Sequence, residues 1–237
     1  MKQEAKSIEI LYEDDSCIVC VKPAGLPTQS AKIGQVDMVS ELKNYRASKK
    51  EAIYLGVCHR LDQPVEGIMV FAKTKIAAAS ISQQIVEKMV EKHYYALILG
   101  EIDPKQGCLE NYLKKDSKIH GSVVCNKEEP DGKKAKLSYK TRSTRELSKD
   151  IKASLMDIQL ETGRLHQIRV QFAHRGNPII GDRKYGVGVS ALLGETLALC
   201  SYRLEFIHPL TKKQMKFQIR PKNKSFALFL QDIVEKV

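Results

Sequence analysis

The chain has no apolar run approaching the ~18 residues that a membrane-spanning helix needs, and its first ten residues, MKQEAKSIEI, are too acidic and polar for a secretory signal. A cytoplasmic protein is expected. It also lacks a dense cysteine framework. Cys17, Cys20, Cys58, Cys108, Cys125 and Cys200 are scattered, which suits reduced thiols better than disulfides. The one CxxC pair, Cys17 and Cys20, lies in the apolar run SCIVCVKP without a second CxxC or a nearby histidine pair, so both are expected as buried strand residues. The histidines at 59, 93, 120, 166, 174 and 208 form no HxxxH or comparable pair. His166 and His174 share a helical face with no third ligand suggested, so no metal is expected. Neither GxxxxGK[ST] nor GxGxxG occurs, and GVGVS at 186–190 lacks the strand and helix context, which argues against a nucleotide-driven enzyme. With no repeat, low-complexity tract or linker, residues 1–237 read as one continuous domain, long enough to bury a core, and nothing demands more than a monomer.

What the chain does have is positive charge: 39 Lys and Arg against 28 Asp and Glu, a formal net charge of +11. The excess is spread through the body, with a dense stretch from Lys114 to Arg145 that holds ten Lys and Arg, against five acids when Glu146 is counted. A polyanionic partner follows, nucleic acid first, because a basic surface gains affinity from phosphates without reading sequence. A merely solubilising surface would have the same composition.

Hydrophobic patterning predicts strands over Ser7–Tyr12 and Cys17–Lys22, then a loop KPAGLP, a helix over Met38–Ser48, a strand over Gly67–Ala72 and a helix over Lys75–Lys92. A strand over Tyr94–Leu99 follows, then hairpins from Gly107 to Lys140, a strand over Ser154–Leu160 and a short helix over Leu165–Arg175. Strands over Leu197–Ile207 and Gln214–Ile219 flank a turn at 208–211, and Ser225–Val237 closes as a helix. Many strands in hairpin order with few helices make an α+β domain with a largely antiparallel sheet.

Polar residues concentrate at the ends of apolar elements in four places: HRLD (59–62), KHYY (92–95), ETGRLHQIR (161–169) and NPIIGDRKYG (177–186). Taken alone, Asp62 before Gln63-Pro64 is a turn former, Arg60 a surface cation and His59 a hydrogen-bonded structural residue. Arg164, His166 and Arg169 cannot share one face of a continuous helix, although a turn at Gly163 can bring them together. The bland alternative there is a helix start with Thr162 as N-cap.

In order along the chain, KPAGLPTQS, HRLDQPVEGIMVFAKT, KHYYALILG, GKKAKLSYK, ETGRLHQIRVQFAHRGNPIIGDRKYG and LALCSYRLEFIHPLTKKQMKF resemble the RluA family of pseudouridine synthases. The resemblance covers almost the whole chain. It implies a pseudouridine synthase fold, a mixed and mostly antiparallel central sheet flanked by helices and loops with a catalytic cleft, and isomerisation of uridine in ribosomal or transfer RNA. By the same resemblance Asp62 is the catalytic aspartate, and Arg60 enters the RNA stack as the target nucleotide leaves. Tyr94, not Tyr95, lies against the flipped base in the KxYxA motif that begins at Lys92. Arg169 is the ion-pair partner of Asp62, while Arg164, His166 and Gln167 frame the cleft; with His59 and Lys92 these are the expected RNA-facing residues. Where many relatives carry Thr-Ser-Gly, this chain has Val65-Glu66-Gly67, and Glu66 is expected to add negative charge close to the RNA path. About ten residues precede the first strand, so RNA recognition is expected from the catalytic domain itself.

The chemistry suits these residue types. Pseudouridine formation breaks the glycosidic bond, turns the base and rejoins it through carbon, with no net redox change and no cofactor required. It needs one carboxylate, as nucleophile or general base, and a site that holds the detached base. A guanidinium beside the carboxylate favours its ionised form in a water-poor cleft. The target nucleotide must be flipped out, at a cost of a few kcal/mol. Two rivals remain: a non-catalytic RNA-binding protein, and a nucleic-acid glycosidase, which needs a second acid such as Glu66, Glu161 or Asp182.

Overall fold

A computed structural model describes residues 8–30, 32, 34–186, 188 and 196–233. Ser7 of the first predicted strand, most of GVGVS and the last four residues of the predicted closing helix lie outside them. Two compact units are distinguished: Met1–Val90 with Leu204–Phe217, and Glu91–Arg203 with Gln218–Val237. The architecture is α+β, with mostly antiparallel strand pairing and few helices.

In the first unit, β1 (Glu9–Glu13) and β2 (Cys17–Lys22) form a hairpin around Asp14. The Asp14 carboxylate accepts from the backbone N–H groups of Ser16 (2.9 Å) and Cys17 (2.8 Å). Burial alone would raise its pKa, but these donors, the Ser16 hydroxyl and the nearby His208 bring it down to about 2. β2 pairs antiparallel with β4 (Glu66–Ala72), setting Cys17 opposite Ala72 and Lys22 opposite Gly67. Both strands are buried along their whole length, which explains their unbroken apolar runs. Cys17 and Cys20 are buried strand residues as expected, and burial pushes the Cys17 thiol up to about 12. The short β3 (Gly56–Val57) pairs with the far end of β4.

The helix α1 (Met38–Ser48) has the expected bounds, and its start is a reciprocal cap: Asp37 accepts from the Ser40 N–H (2.7 Å), and the Ser40 hydroxyl accepts from the Asp37 N–H (3.0 Å). α2 (Lys75–Val86) is capped by Thr74, which accepts from the Ala77 N–H at 3.1 Å. It ends six residues before the expected Lys92, because Lys88 takes a left-handed conformation (φ 59°) and the next strand begins at Glu91. Met89 and Val90 had extended the apparent helical period, yet Met89 is exposed and Val90 is buried directly before that strand.

The second unit is a five-stranded antiparallel arrangement in the order β5-β9-β8-β6-β7, made of β5 (Glu91–Leu99), β6 (Gln106–Asp116), β7 (Gly121–Cys125), β8 (Lys133–Ser148) and β9 (Ile151–Leu160). β8 outruns the predicted hairpin by eight residues. Its second half, TRSTRELS, has no apolar alternation and is a strand because β9 supplies partners from Met156, opposite Thr141, to Ile151, opposite Ser148. α3 (Gln167–His174) packs Val170 against Leu113 and Ala135 of this sheet. β10 (Leu199–Ile207) begins in the second unit and ends in the first, and β11 (Gln214–Gln218) follows. The predicted closing helix is instead a 3₁₀ segment, Lys224–Phe229, in which Phe226 and Phe229 are buried while Leu228 is exposed. A spacing of three matches three residues per turn.

Candidate active site

His59, Arg60 and Asp62 belong to the first unit. They sit on the loop between β3 and β4, whose path is fixed at several points. His59 accepts the Val70 N–H on Nε2 (3.1 Å), so it is a structural residue tying the loop to β4. Thr28 accepts the Leu61 N–H (3.2 Å) and donates to the Leu61 carbonyl (3.0 Å). The Asp62 carbonyl accepts the Val65 N–H (3.0 Å), closing a turn through Gln63 and Pro64. Asp62 is half-buried; Arg60 is exposed, with no hydrogen-bond or ion-pair partner among the described residues. Glu66 corrects an expectation: it is buried at the start of β4, and its charge acts inward on Lys22.

Lys22 was not singled out by its sequence, although it opens the KPAGLP motif. It is fully buried, and its Nζ donates to the carbonyls of Pro23 (3.0 Å), Leu26 (2.6 Å) and Gln63 (3.0 Å). The Gly25 N–H reaches the same Gln63 oxygen (2.9 Å), and the Gln63 amide donates back to the Gly25 carbonyl (3.0 Å). Two loops 40 residues apart in sequence are thereby joined at the residue after Asp62.

Lys92, Tyr94, Arg164, His166, Gln167 and Arg169 belong to the second unit. Tyr94 lies on β5 opposite Ile158 of β9 and is almost fully buried; its neighbour Tyr95 points to the other face of the sheet and stacks on Tyr202 with ring centroids 3.7 Å apart. Burial lowers the Lys92 pKa, and its Nζ lies near Gly163 of the ETGR turn. Arg164 is exposed and donates from Nε to the Lys134 carbonyl (2.9 Å).

Gln167, expected to face RNA, is buried and frames the turn instead. Its Oε1 accepts from Arg164 N (3.0 Å) and the Thr162 hydroxyl (2.8 Å), and its Nε2 donates to the Lys136 carbonyl (3.1 Å). His166 occupies the N-cap of α3 in the left-handed region (φ 54°) without a side-chain cap. Its Nδ1 lies 2.7 Å from the Tyr185 hydroxyl, which accepts the Ser122 N–H (2.9 Å). Gly121 is needed here, since a Cβ would collide with that hydroxyl.

Arg169 is buried and held in a planar fork by Asp182, Nε to Oδ2 and a terminal nitrogen to Oδ1, both 2.8 Å. Asp182 also accepts the N–H groups of Lys184 (2.9 Å) and Tyr185 (3.1 Å), and the Arg169 guanidinium lies 5.1 Å from the Tyr185 ring centroid. Burial would raise the Asp182 pKa, but Arg169 and the two N–H groups hold it below the ordinary value. The loop carrying Asp182 is anchored on β5: Ile180 N donates to Leu97 O (2.9 Å), and Leu97 N to Ala198 O (3.0 Å). The sequence offered Asp182 only as a spare acid for a glycosidase; its signal is GDRKY, an acid directly followed by two N–H groups that it can bind.

The basic stretch is less free than its composition suggests. Five of its ten cations are ion-paired locally: Lys114 with Glu129, Lys134 with Glu110, Lys136 with Glu161, Arg142 with Asp157 and Arg145 with Asp232. Lys115, Lys118, Lys127, Lys133 and Lys140 have no such partner among the described residues, which leaves them as the cations available to phosphates.

The first unit thus holds an aspartate on a braced turn, and the second a forked arginine and a tyrosine-bearing strand. Residues 16–174 match the family described as RNA pseudouridylate synthase. The chain is 32% identical over 209 residues to an uncharacterized RNA pseudouridine synthase of Bacillus subtilis, covering 88% of this chain and 67% of that protein. It is also 32% identical over 212 residues to ribosomal large subunit pseudouridine synthase C of Vibrio cholerae, covering 87% of this chain and 64% of that one. The fold is similar to that of human RNA Pseudouridylate Synthase Domain Containing 1, with a TM-score of 0.76 and 21% identity over 93% of this chain and 86% of that one. The chain belongs to the RNA pseudouridylate synthase family, isomerases that act on RNA. Among the described residues no helix is long and apolar enough to cross a membrane.

Proposed function

We propose that residues 1–237 act in the cytoplasm as one monomeric catalytic domain that converts specific uridines of ribosomal or transfer RNA to pseudouridine without a metal or cofactor. The observation that carries this reading is the family match over residues 16–174, which spans HRLD, KHYY and ETGRLHQIR in order. Ribosomal RNA is favoured by the names of relatives such as the V. cholerae synthase C. In the proposed reaction Asp62 acts at the junction of sugar and base, as nucleophile or general base, while the uracil detaches, turns and rejoins through carbon. Arg169 is its counter-ion, Tyr94 lies against the extruded ring, and Arg60 fills the space vacated in the RNA. Lys92, Arg164 and the unpaired lysines of the 114–145 stretch take phosphates. The support for these roles is that Arg60 is exposed with no partner among the described residues, Arg169 is rigidly aimed, and Tyr94 sits on a strand rather than a mobile loop.

Mapping pseudouridine across total RNA from cells with and without the gene tests this directly. One or more sites should disappear in the deletion and return with the intact gene. An unchanged map would refute the reading, and release of free uracil by the purified protein would indicate a glycosidase.

A further inference from the structure

The register of the second unit sorts the side chains of four strands into rows. Gly107, Tyr139, Ile158 and Tyr94 form one row across β6, β8, β9 and β5, on the face where Tyr139 meets Phe172 of α3 edge-on (centroids 6.0 Å apart). The rows on either side of it, Cys108, Ser138, Gln159 and His93, then Gln106, Lys140, Asp157 and Tyr95, therefore take the opposite face. Tyr202 covers one end of that face, stacked on Tyr95 and donating to Asp157 (3.0 Å), while Arg142 donates from Nε to the other Asp157 oxygen (3.1 Å). Toward the other end Lys136 pairs with Glu161 (3.0 Å) and Lys134 with Glu110 (2.7 Å). Between these closed pairs lies a shallow concavity of about 200 Å³, lined by His93, Gln106, Ser138, Lys140, Asp157 and Gln159. The side chains of Gln106, Ser138, Lys140 and Gln159 have no hydrogen-bond or ion-pair partner among the described residues. Two carboxamides, a hydroxyl and an ammonium are thus left open to a ligand.

Small-molecule pockets hold about 300–1,000 Å³, so this site suits part of a larger molecule laid across the sheet. Protein interfaces need large apolar or aromatic anchors at their centre. None of the exposed large apolar side chains among the described residues belongs to these rows. The one carboxylate of the lining, Asp157, is neutralised by Arg142, so the unpaired charge is that of Lys140. Uncharged donors and acceptors beside a cation suit a phosphate and the polar edge of an unstacked base.

We propose that this face is a second RNA subsite, on the opposite side of the sheet from Tyr94: Lys140 takes a phosphate, and Gln106, Ser138 and Gln159 hydrogen-bond the base edge of an unpaired nucleotide remote from the target uridine. This rests on RNA as the substrate. The subsite holds the RNA equally well before and during the reaction, so it selects among RNAs through KM and leaves kcat alone.

The test combines a thiol footprint with RNA binding, using the full chain and an RNA transcript that contains a mapped site. Cys108 is exposed and shares a row with Ser138 and Gln159, so its thiol reports on this face. Its alkylation by a maleimide, read by mass spectrometry of the Cys108 peptide, should slow severalfold when the transcript is saturating. Gln106→Ala combined with Gln159→Ala should weaken RNA binding about tenfold, as expected for the loss of a few net hydrogen bonds, and raise KM to match while kcat is kept. In that double variant Cys108 should react at its RNA-free rate even with the transcript bound. Lys140→Gln should flatten the slope of log affinity against log salt by about 0.7 to 0.9. Unslowed alkylation of wild-type Cys108 under saturating transcript overturns the subsite, whether or not the variants fold. So does a folded double variant with wild-type affinity and KM. Shielding of Cys108 by an RNase-treated cell extract but not by the transcript gives the face to a protein partner and equally overturns it. A transcript neither bound nor converted by the wild-type protein removes RNA as the substrate, whereas a transcript that is bound and converted while Cys108 stays fully reactive removes only the subsite.

Discussion

Asp182→Asn should be among the most damaging single substitutions in the second unit while removing no group that the proposed chemistry uses. The carboxylate is buried and accepts four hydrogen bonds, two from the Arg169 fork and two from backbone N–H groups. An asparagine keeps one acceptor oxygen and turns an NH₂ against donors that the other oxygen had served. It also leaves the buried Arg169 without this counter-charge. Breaking a buried pair by removing one partner costs about 3–5 kcal/mol. With an m-value of about 3 kcal/mol/M in urea, the unfolding midpoint should fall by about 1–2 M. The chain has no tryptophan, so tyrosine fluorescence and far-ultraviolet circular dichroism are the probes. The pH dependence has a definite sign. The folded Asp182 pKa is lowered, so the stability it contributes is present above its unfolded value and is lost as pH falls through the folded value. That part of the acid limb should be absent from the variant. Glu110→Gln, which breaks an exposed pair with Lys134, serves as the control and should leave the midpoint unchanged. A midpoint shift below about 0.3 M for Asp182→Asn, equivalent to about 1 kcal/mol, would refute the argument.

Three further outcomes follow from particular contacts. Tyr94→Phe should reduce pseudouridine formation more than Tyr95→Phe, because Tyr95 is committed to its stack on Tyr202 on the other face of the sheet; equal losses would undo the choice between the neighbours. Replacing Lys115 and Lys118 together by glutamine should flatten the slope of log affinity for RNA against log salt by about 1.4 to 1.8, the loss expected for two phosphate contacts. The locally paired Lys134 and Lys136 should matter less, and an unchanged slope in the first variant would mean that those two lysines do not touch RNA. Gly181→Ala should destabilise strongly, because φ is +76° and a Cβ would strike the Thr196 carbonyl. A wild-type melting temperature for that variant would show that the loop can shift.

The elements that sequence marked well are those whose patterning and burial agree. β2 and α1 have their expected bounds because an unbroken apolar run is buried on both faces in one, and a capped amphipathic pattern is buried on one face in the other. α2 was overextended because Lys88 breaks it through a left-handed backbone, which lysine composition does not announce. The second half of β8 was invisible because pairing with β9, not hydrophobic alternation, makes it a strand. The site divides along the same line. Asp62, Arg60 and Tyr94 were named from the family motifs, whereas local chemistry alone made Asp62 a turn former and Arg60 a surface cation. Gln167 was named but expected to face RNA, Asp182 was only a spare acid, and Tyr185 and Lys22 were not named, because the bonds that place them include partners 5 to 63 positions away, which only the folded chain shows. Glu66 was placed on the RNA side because an acid in a loop is usually solvated; here the loop has already become strand, and a buried lysine faces it.

The central claim is that Asp62 carries the chemistry. Its most direct measurement is pseudouridine formation by purified Asp62→Asn on a mapped RNA site, alongside RNA binding and thermal unfolding of the same preparation. No pseudouridine should form, while RNA affinity and melting temperature stay close to wild type. An Asp62→Asn protein that still converts the uridine would contradict it.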